Sequence, residues 1–472
     1  MTATEQSGSG THGGHAIVVG AGTTGLAAAA AAARHFNRVT VIDRDELPSG
    51  PQWRKGVPQS CHLHVLLRRG EEIFNELLPG LSDALIAQGA QRLDMGRDTN
   101  YFHSSGWKLR FDSGVTMMSQ SKGLLEWTIR QHVLGIDAVT IRDRTSLTGL
   151  CSDGTRITGV KLGDGTELAA DLVIDASGRG SRTPARLAGL GFGTVPTSEL
   201  AIELSYSTRI YRRPADADDW QLLIVHPMHP DTRLGAIQAV EGDRWVVTLA
   251  GWNGAQVPAD EKGFVEFART LVSPALYEAI ANAEPIDEIR RWRFPANRRR
   301  HYEKLDAMPD GLVVIGDAVN SFSPIYGQGM TQGATGARIL DECLALQPRE
   351  SGSVSVDGLS RRFHARYAEF AARCWSMATT DDFAAMPGAP GRPWWSSLAS
   401  WYLLQVQRLT FSDPLVALRF LEVMHMLKPL SWLMTPAVVV RVLFRVLRGG
   451  WRDTAADERA ASRPIALASR GR

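Results

Sequence analysis

Three glycines near the N-terminus have the spacing with which a chain can hold a pyrophosphate. Gly20, Gly22 and Gly25 form the pattern G-x-G-x-x-G. The first permits a tight turn, the second lets the backbone approach a phosphate, and the third lets a helix pack closely on a strand. The N-terminus of that helix would direct its N–H groups and its positive dipole end at the phosphate charge. The motif therefore predicts a dinucleotide-binding loop.

To position this loop, the neighbouring residues must form a strand, a helix and a second strand. The run AIVVG, residues 16–20, is short, apolar and β-branched, as in a strand buried on both faces. Alanines from Ala27 to Ala33 favour a helix, and VTVID, residues 39–43, predicts the next buried strand. Asp43 thus stands about 20 residues after the glycines, where a carboxylate can accept hydrogen bonds from a ribose. In this context a chance glycine loop is the weaker interpretation.

Two further segments carry an acidic residue and glycines at the end of an apolar strand. DLVIDASGRGSRTP, residues 171–184, would by itself be an ordinary strand exit. In GLVVIGDAVNSFSPIYGQGMTQGATGA, residues 311–337, Asp317 follows the strand and can hold a ribitol or ribose hydroxyl. Gly327 and Gly329 then open a helix whose N–H groups suit an anionic group, and their bare backbone leaves room for a flat ring.

Together, these three segments resemble the FAD-binding set of the aromatic hydroxylase type of flavin monooxygenase. The resemblance implies that Asp43 holds the adenosine ribose of FAD, that the middle segment closes the site around both cofactors, and that Asp317 holds the ribityl chain. It also places Gly327, Gly329 and Met330 against the flavin. A closer resemblance lies in residues 52–80, QWRKGVPQSCHLHVLLRRGEEIFNELLPG, which are similar to the actinobacterial epoxidases of polyether antibiotic biosynthesis, the monensin and lasalocid type.

The segments SKGLLEWTIRQ and FSPIYGQGM also resemble counterparts in those epoxidases, although Lys122 stands where an arginine is usual and Gln328 replaces the histidine of some relatives. By the same resemblance, the cofactor would be contacted by further basic residues, which are Arg44, Arg54 or Lys55 at the pyrophosphate side, and Arg130 near the adenosine half. An ordinary surface charge is the alternative for each. For Arg130 the two interpretations weigh equally, because LLEWTIRQ also fits one face of an amphipathic helix.

The substrate side is predicted from histidines, tryptophans and the third glycine segment. His64 and Pro324 are expected beside the flavin, and we interpret His62 and His64 as a packed loop rather than a metal site, because no third ligand is near in sequence. The candidates for a hydrophobic substrate pocket are Trp245, Trp252, Trp292, Trp394 and Trp395. Packing in the core is the more common role of any single tryptophan.

The predicted fold class is α/β, with a Rossmann-like FAD-binding domain of the GR2 type, an interleaved antiparallel-sheet substrate domain and a C-terminal helical region. We expect a loose tail at 1–14, the FAD domain at 15–195 and 301–356, the substrate domain at 196–300, and helices over 357–472. Turn signals between short β-rich runs predict a small antiparallel meander at about residues 145–174.

The resemblance implies a monooxygenase that inserts one oxygen atom of O2, through a flavin C4a-hydroperoxide, into a hydrophobic natural-product-like substrate. Alkene epoxidation is the leading hypothesis, with aromatic ring hydroxylation and an FAD-dependent reductase or dehydrogenase as alternatives. No Trp-x-Trp-x-Ile segment supports a halogenase. GLGFG, residues 189–193, follows no buried strand, so NAD(P)H would donate electrons without a Rossmann site of its own or through a flavin reductase. The chemistry resides on the flavin, so no catalytic side chain is assigned.

Composition narrows the class of partner. A formal net charge of +2 over 472 residues gives no reason to expect nucleic acid. Four cysteines without paired spacing and the lack of a secretory signal predict a cytoplasmic protein. Charges and prolines interrupt the apolar stretch LKPLSWLMTPAVVVRVLFRVL, so no membrane span is predicted. Peripheral membrane contact by these basic, apolar helices is an alternative to the favoured role of a helical cap.

Overall fold

A computed structural model of the chain describes residues 14–449 except 55, 104–105, 227–230, 253, 351–352 and 386–395. The candidates Lys55, Trp394 and Trp395 and the predicted N-terminal tail up to residue 13 therefore lie outside the described residues. The strands in chain order are β1 His15–Val19, β2 Arg38–Ile42, β3 Gln91–Asp94, β4 Thr99–His103, β5 Gly106–Trp107, β6 Thr116–Ser119, β7 Val139–Arg142, β8 Leu147–Ser152, β9 Ile157–Leu162, β10 Glu167–Ala169, β11 Leu172–Asp175, β12 Thr197–Arg212, β13 Leu222–Val225, β14 Arg233–Val240, β15 Arg244–Gly251, β16 Arg290–Arg300, β17 Leu312–Val314, β18 Asn320–Ser321, β19 Arg349–Glu350 and β20 Ser353–Val354.

The α-helices alternate with the strands in the first part of the chain and follow one another without strands at its C-terminal end. They are α1 Thr23–Ala32, α2 Arg68–Leu77, α3 Leu81–Ala87, α4 Lys122–Leu134, α5 Thr183–Gly189, α6 Glu261–Arg269, α7 Ala275–Ile280, α8 Gly329–Ala345, α9 Leu359–Ala385, α10 Ser396–Leu409, α11 Pro414–Met424 and α12 Pro436–Leu447. None of the helices in the described part of the chain combines the length and hydropathy that crossing a bilayer requires.

A parallel sheet in the order β17-β11-β1-β2-β7 brings the predicted motifs to one edge. Its inner strands are short apolar runs that are buried, because α1 packs on β1, β2 and β11, and α9 packs on β17. Val19 at the end of β1 is in register with Ile42 of β2 and with Asp175 of β11. The carboxyl ends of these strands therefore lead into the glycine loop and Asp43 side by side. This confirms the α/β fold class.

The predicted meander at 145–174 is confirmed by three antiparallel strands, β8, β9 and β10, after which β11 enters the parallel sheet. Ile157, Val160 and Leu162 of β9 are buried in the main core. Val160 and Leu162 flank the exposed Lys161, which is the pattern of a strand with one covered face. The chain thus leaves the parallel sheet after β7 and returns to it at β11.

An antiparallel layer in the order β18-β16-β12-β15-β14-β13-β4-β5 forms the second sheet. Residues 197–300 supply most of it, but β4, β5 and β18 come from segments that we had assigned to the FAD domain. β4 joins because it pairs in parallel with β13, which buries Phe102 beside Val225. β18 pairs with Arg298 and Arg299 of β16. The second layer is therefore assembled from three separate parts of the chain.

The C-terminal helices pack on both layers. Side chains of α9 bond the backbone N–H groups at the edge strand β17, where Ser360 accepts from Leu312 and His364 accepts from Val314. Protecting an edge strand in this way prevents it from pairing with another chain. Farther on, Thr410 accepts a backbone hydrogen bond from Leu109 after β5. The helices α10, α11 and α12 share a small apolar core of their own.

Candidate cofactor and active site

The glycine loop has the geometry that each glycine was predicted to provide. Gly20 has φ +105°, and a Cβ there would lie 2.6 Å from the carbonyl oxygen of Ala176. A Cβ on Gly25 would lie 1.8 Å from the carbonyl oxygen of Gly20. A Cβ on Gly22 would meet only Arg54 Nη2, at 3.4 Å. Gly20 and Gly25 are thus required by protein packing, whereas Gly22 faces space in which a pyrophosphate fits.

Asp43 ties the end of β2 to this loop. Its Oδ2 accepts a hydrogen bond from the backbone N–H of Ala21 at 2.6 Å and one from Arg54 Nη1 at 2.9 Å. Its Oδ1 accepts from the backbone N–H of Asp45 at 2.9 Å. The carboxylate is buried at the predicted ribose position. It is therefore oriented by the backbone before any ligand binds.

Arg54 lies at the centre of a buried ion-pair network. In addition to Asp43, its guanidinium lies 2.6 Å from Glu126 Oε1, and Glu126 Oε2 accepts a hydrogen bond from Lys122 Nζ at 2.9 Å. Burial opposes the charge on Arg54, but Glu126 and Asp43 outweigh that penalty and raise the pKa of Arg54. Burial likewise opposes the charge on Glu126, and Lys122 and Arg54 together lower its pKa. These groups stay ionised because they neutralise one another.

The two other basic candidates differ in their surroundings. Arg130 is buried, donates a hydrogen bond to the carbonyl of Pro48, and interacts with Glu126. Arg44 is 75% exposed, with its Nε 3.8 Å from Asp45 Oδ1. The structure therefore brings Arg130 to the network and leaves Arg44 at its margin. A spacing of four residues places Lys122, Glu126 and Arg130 on one face of α4, and this spacing is visible in the sequence alone.

Gln120 is a site residue that the sequence analysis missed. It precedes α4 and is 1% exposed, yet neither its amide nitrogen nor its amide oxygen has a hydrogen-bond partner in the described part of the chain. Together with His64 and Lys122 it lines a cavity of about 220 Å³ between the loop 51–64 and the antiparallel sheet. A buried amide without partners is costly unless a ligand or water satisfies it. The unpartnered amide of Gln120 therefore indicates that a ligand or water binds in this cavity.

Asp317 marks the flavin end of the cleft. Its side chain is accessible, but the protein around it raises the pKa of the carboxyl to about 6 by burial, against the opposing effects of Arg179 and Lys122. Accessibility combined with desolvation is expected of a group that faces an internal cleft. A Cβ on Gly329 would lie 3.8 Å from Asp317 Oδ1, and α8 begins at Gly329. The helix N-terminus and the carboxylate therefore face the same space.

The loop before α8 is held by its neighbours. Gly327 has φ +64°, and a Cβ there would lie 2.3 Å from Val65 Cγ2. The segment after His64 thus packs directly on the predicted flavin loop. Met330 is half-buried against the main core, and Pro324 is exposed on the loop. Because it is exposed on the loop before α8, Pro324 stays a candidate for contact with the substrate.

The middle segment positions a cation near Asp317. The buried Asp175 accepts hydrogen bonds from the hydroxyls of Ser181 and Thr183, which fixes the turn after β11. Arg179 in that turn donates to Ser321 Oγ at 3.1 Å, and its guanidinium lies 4.6 Å from the centre of the Phe294 ring. The turn therefore carries a positive charge to the place where the two sheets meet.

The two histidines form part of the contact between the sheets. His62 Nδ1 lies 2.7 Å from Thr208 Oγ1, and His64 Nδ1 donates to the carbonyl of His62 at 2.8 Å. Burial, aided by Lys122, lowers the pKa of His64 to about 4, so its imidazole is neutral near pH 7. Among the described residues, no three potential ligands are grouped as a metal ion would require.

The tryptophan candidates lie on opposite faces of the antiparallel sheet. Trp252 and Trp292 pack with Ile325 of the flavin loop, in a cluster that also contains Tyr206, Phe294 and Trp375. Trp245 is buried on the other face, where it stacks on Trp220 at 5.1 Å under α6 and α7. The structure thus places Trp245 in the core and away from the cleft, because alternate residues of β15 point to opposite faces.

Taken together, the cleft fits FAD. Gly22 leaves room for a pyrophosphate, Asp43 and Asp317 offer carboxylates, and the N-terminus of α8 lies beside Asp317. The described residues thus offer partners for the phosphate and the hydroxyl groups of the cofactor.

Comparison with known proteins agrees with this assignment. The family model described as "FAD binding domain" matches residues 15–373. Protein Rv3254 of Mycobacterium tuberculosis is 32% identical over 453 residues, which cover 92% of this chain and 94% of that protein. Among solved structures, the flavin-dependent brominase Bmp2 is similar with a TM-score of 0.61 and 15% identity, covering 86% of this chain and 93% of its own.

Two further structures show the same fold. PqsL of Pseudomonas aeruginosa has a TM-score of 0.59 and 17% identity over 78% of this chain and 96% of its own. For 2-methyl-3-hydroxypyridine-5-carboxylic acid oxygenase the TM-score is 0.60 with 15% identity, over 79% of this chain and 92% of its own. The glycine loop, the acidic residues and the matched family agree, and the chain belongs to the FAD-binding-domain family.

Proposed function

We propose that this enzyme inserts one oxygen atom of O2 into a hydrophobic, natural-product-like substrate, and that the reaction is the epoxidation of an alkene. The observation that carries the proposal is the apolar cluster beside the flavin loop, in which Ile325 meets Tyr206 and Trp252. Apolar surroundings of this kind beside the flavin would favour an uncharged, hydrophobic substrate. The resemblance of residues 52–80 to polyether epoxidases points to the same substrate class.

The chemistry of the cluster favours an alkene over a phenol. Hydroxylation of a phenol is assisted by a base that removes the ring hydroxyl proton, whereas oxygen transfer to an alkene needs none. Tyr206 is the titratable member of the described cluster, and burial raises its pKa well above the ordinary value. Its hydroxyl therefore stays protonated, so it can donate a hydrogen bond but cannot act as a base. It can orient a substrate oxygen without assisting ring hydroxylation.

The residues of the cleft bind and orient the cofactor, and bound FAD supplies the redox chemistry. Asp317 would accept hydrogen bonds from the hydroxyls of the ribityl chain, and Asp43 from those of the ribose. The backbone N–H groups at Gly329 and the dipole of α8 would stabilise negative charge on the flavin ring. The packed loop at Val65 and the aromatic cluster would exclude water from the reacting face.

Electrons would come from NAD(P)H, either directly or through a flavin reductase. The sequence has one G-x-G-x-x-G unit with a preceding strand and a following helix, and the cofactor uses it. An NAD(P)H molecule that reduces the flavin directly would therefore bind transiently at an open surface near the cofactor cleft. The loop 51–64 and the cavity beneath it lie on such a surface.

The test is oxygen uptake by the FAD-loaded enzyme with NADPH, with NADH and with a flavin reductase, each across a panel of polyenes and phenols. We expect substrate-dependent uptake with polyenes and an epoxide that carries isotope from labelled O2. The matched control is Gly22→Leu, which should hold no FAD and consume no oxygen. If instead the phenols were converted to products with a labelled ring hydroxyl and no epoxide formed, ring hydroxylation would be the reaction. Turnover without oxygen incorporation would favour a reductase or dehydrogenase.

A further inference from the structure

The last described helix, α12, exposes apolar side chains along one face. Val440, Leu443, Phe444 and Leu447 are all more than half exposed, and Leu447 is 85% exposed. Their spacing of three and four residues places them on one stripe. The opposite face buries Val438 and Val442 against α10 and α11. The buried face accounts for the stability of α12, and nothing in that packing explains the exposed one.

Neighbouring elements also expose apolar residues. Met434, which precedes α12, is exposed. Leu398 and Trp401 on α10 are exposed as well. α10 is joined to the turn before α12 by the hydroxyl of Tyr402, which donates to the carbonyl of Leu433 at 2.7 Å. Contiguous exposed apolar residues on a folded protein commonly mark an interaction surface. We call the stripe on α12 together with Met434 the C-terminal apolar patch.

The segment that carries the patch has only basic charges of its own, although Arg441 is paired with Asp413 at the start of the preceding helix at 2.8 Å. Residues 423–449 include Lys428, Arg441, Arg445 and Arg448, and no aspartate or glutamate. Arg448 lies with its guanidinium 4.0 Å from the centre of the Phe444 ring, so charge and apolar surface are directly adjacent. Lys428 and Arg448 are exposed. A basic rim on an apolar helix face matches the border between the anionic headgroups and the acyl chains of a membrane.

We propose that the C-terminal apolar patch binds the surface of an anionic lipid membrane, with α12 lying in the interface. A second copy of this chain fits less well, because a two-fold contact through the patch would bring Lys428 and Arg448 of one copy against those of the other. A convex helix face is also suited to a fluid surface, which needs no complementary groove. The proposal does not depend on the reaction that the enzyme performs.

The test is flotation of the FAD-loaded full-length protein with vesicles. We expect binding to vesicles that contain phosphatidylglycerol and phosphatidylcholine in equal parts, weak binding to phosphatidylcholine alone, and release at high salt. The double substitution Leu443→Gln and Leu447→Gln should abolish flotation. The matched control, Leu190→Gln with Leu346→Gln, changes two other exposed leucines and should float like the parent protein.

Charge removal gives a graded second test. Replacing Lys428 and Arg448 by glutamine should weaken binding by about fivefold for each charge lost. Flavin absorbance and the melting temperature of every variant should equal those of the parent, since these residues touch neither the cofactor cleft nor the main core. Absence of flotation of the parent protein with either vesicle would overturn the proposal. The proposal would also be overturned if the double substitution Leu443→Gln and Leu447→Gln left flotation unchanged but lowered the molecular mass measured by light scattering. That result would identify a second copy of the chain as the occupant of the patch.

Discussion

The two ends of the cofactor cleft are built on different principles. At the adenosine end, Asp43 is already bonded to the backbone and paired with Arg54, which in turn contacts Glu126. At the flavin end, Asp317 is accessible and its pKa is raised to about 6 by burial. The first end is satisfied by protein groups before FAD arrives. The second keeps a carboxylate whose ionised form the protein alone stabilises poorly.

This difference teaches that the two ends contribute to separate properties. The ion pairs of the adenosine end contribute to the stability of the folded chain, and breaking them leaves buried charges behind. The flavin end contributes mainly to binding, because its polar group gains a partner only when a ligand hydroxyl arrives. Substitutions at the first end should therefore change folding, and substitutions at the second end should change affinity and its dependence on pH.

The largest effects are expected within the glycine loop. Gly25→Ala would place a Cβ 1.8 Å from the backbone oxygen of Gly20 and should prevent folding of the loop. Gly22→Leu should fold, because only the flexible end of Arg54 lies near its Cβ, but should weaken FAD binding by at least about a hundredfold, or about 3 kcal/mol. Circular dichroism and flavin absorbance of the two variants separate these outcomes. Full FAD occupancy in Gly22→Leu would mean that the pyrophosphate lies elsewhere.

At the adenosine end, Arg54→Gln removes the cation shared by Asp43 and Glu126. We expect a loss of about 3 kcal/mol in the free energy of unfolding, because two buried carboxylates each lose their shared cation, although Glu126 keeps Lys122 and Asp43 keeps its backbone donors. Arg44→Gln is the control, since that side chain is largely exposed and should change stability by less than about 0.5 kcal/mol. Urea unfolding of the FAD-free proteins measures both. If Arg54→Gln and Arg44→Gln unfolded with the same free energy, the adenosine end would not contribute to folding stability as we expect.

At the flavin end, Asp317→Asn should weaken FAD binding by about tenfold, since a charged acceptor is lost, and leave folding nearly unchanged. The pKa of Asp317 is raised from 3.8 to about 6, so the FAD-free protein should lose stability as pH rises through that interval. Hydroxyl donors from FAD favour the carboxylate, and FAD affinity should therefore increase as pH rises through 6. Fluorescence titration with FAD on either side of pH 6 tests this, and Asp317→Asn should show no such rise.

The smallest effect is expected at His64, which has the opposite dependence. Burial lowers its pKa from 6.5 to about 4, so its contribution to stability is complete above 6.5 and is lost as pH falls toward 4. His64→Gln should therefore flatten the decline in stability on the acid side by about 1 kcal/mol. Thermal melts of the FAD-free protein between these pH values are the measurement. A steeper decline in the variant would contradict the assignment of a neutral buried imidazole.

The sequence predicted the parts of this site that depend on local geometry. The roles of Gly20, Gly22 and Gly25 could be assigned because each follows from the distance between a loop and a helix next to it in sequence. The meander at 145–174 could be predicted because turns and alternation are local as well. The position of Asp317 followed from the strand before it.

What could not be predicted depends on contacts between distant segments. The orphan amide of Gln120 and the pairing of Arg54 with Glu126 exist only once α4 lies against the loop 51–64, and no local pattern specifies that contact. For the same reason the face of β15 on which Trp245 lies could not be chosen from its sequence. Its burial depends on α6 and α7, which follow later in the chain.

The crossing of the chain between the two sheets has a consequence for how the molecule folds. In the sequence, β4 lies about a hundred residues before most strands of the antiparallel layer, and β18 follows all of them. The parallel sheet therefore needs β17 and the antiparallel layer needs β18, so neither can be completed until this part of the chain has been synthesised. Folding should be slow and cooperative across both layers, and excision of residues 196–300 should yield an incomplete sheet with exposed edges in place of an independent module.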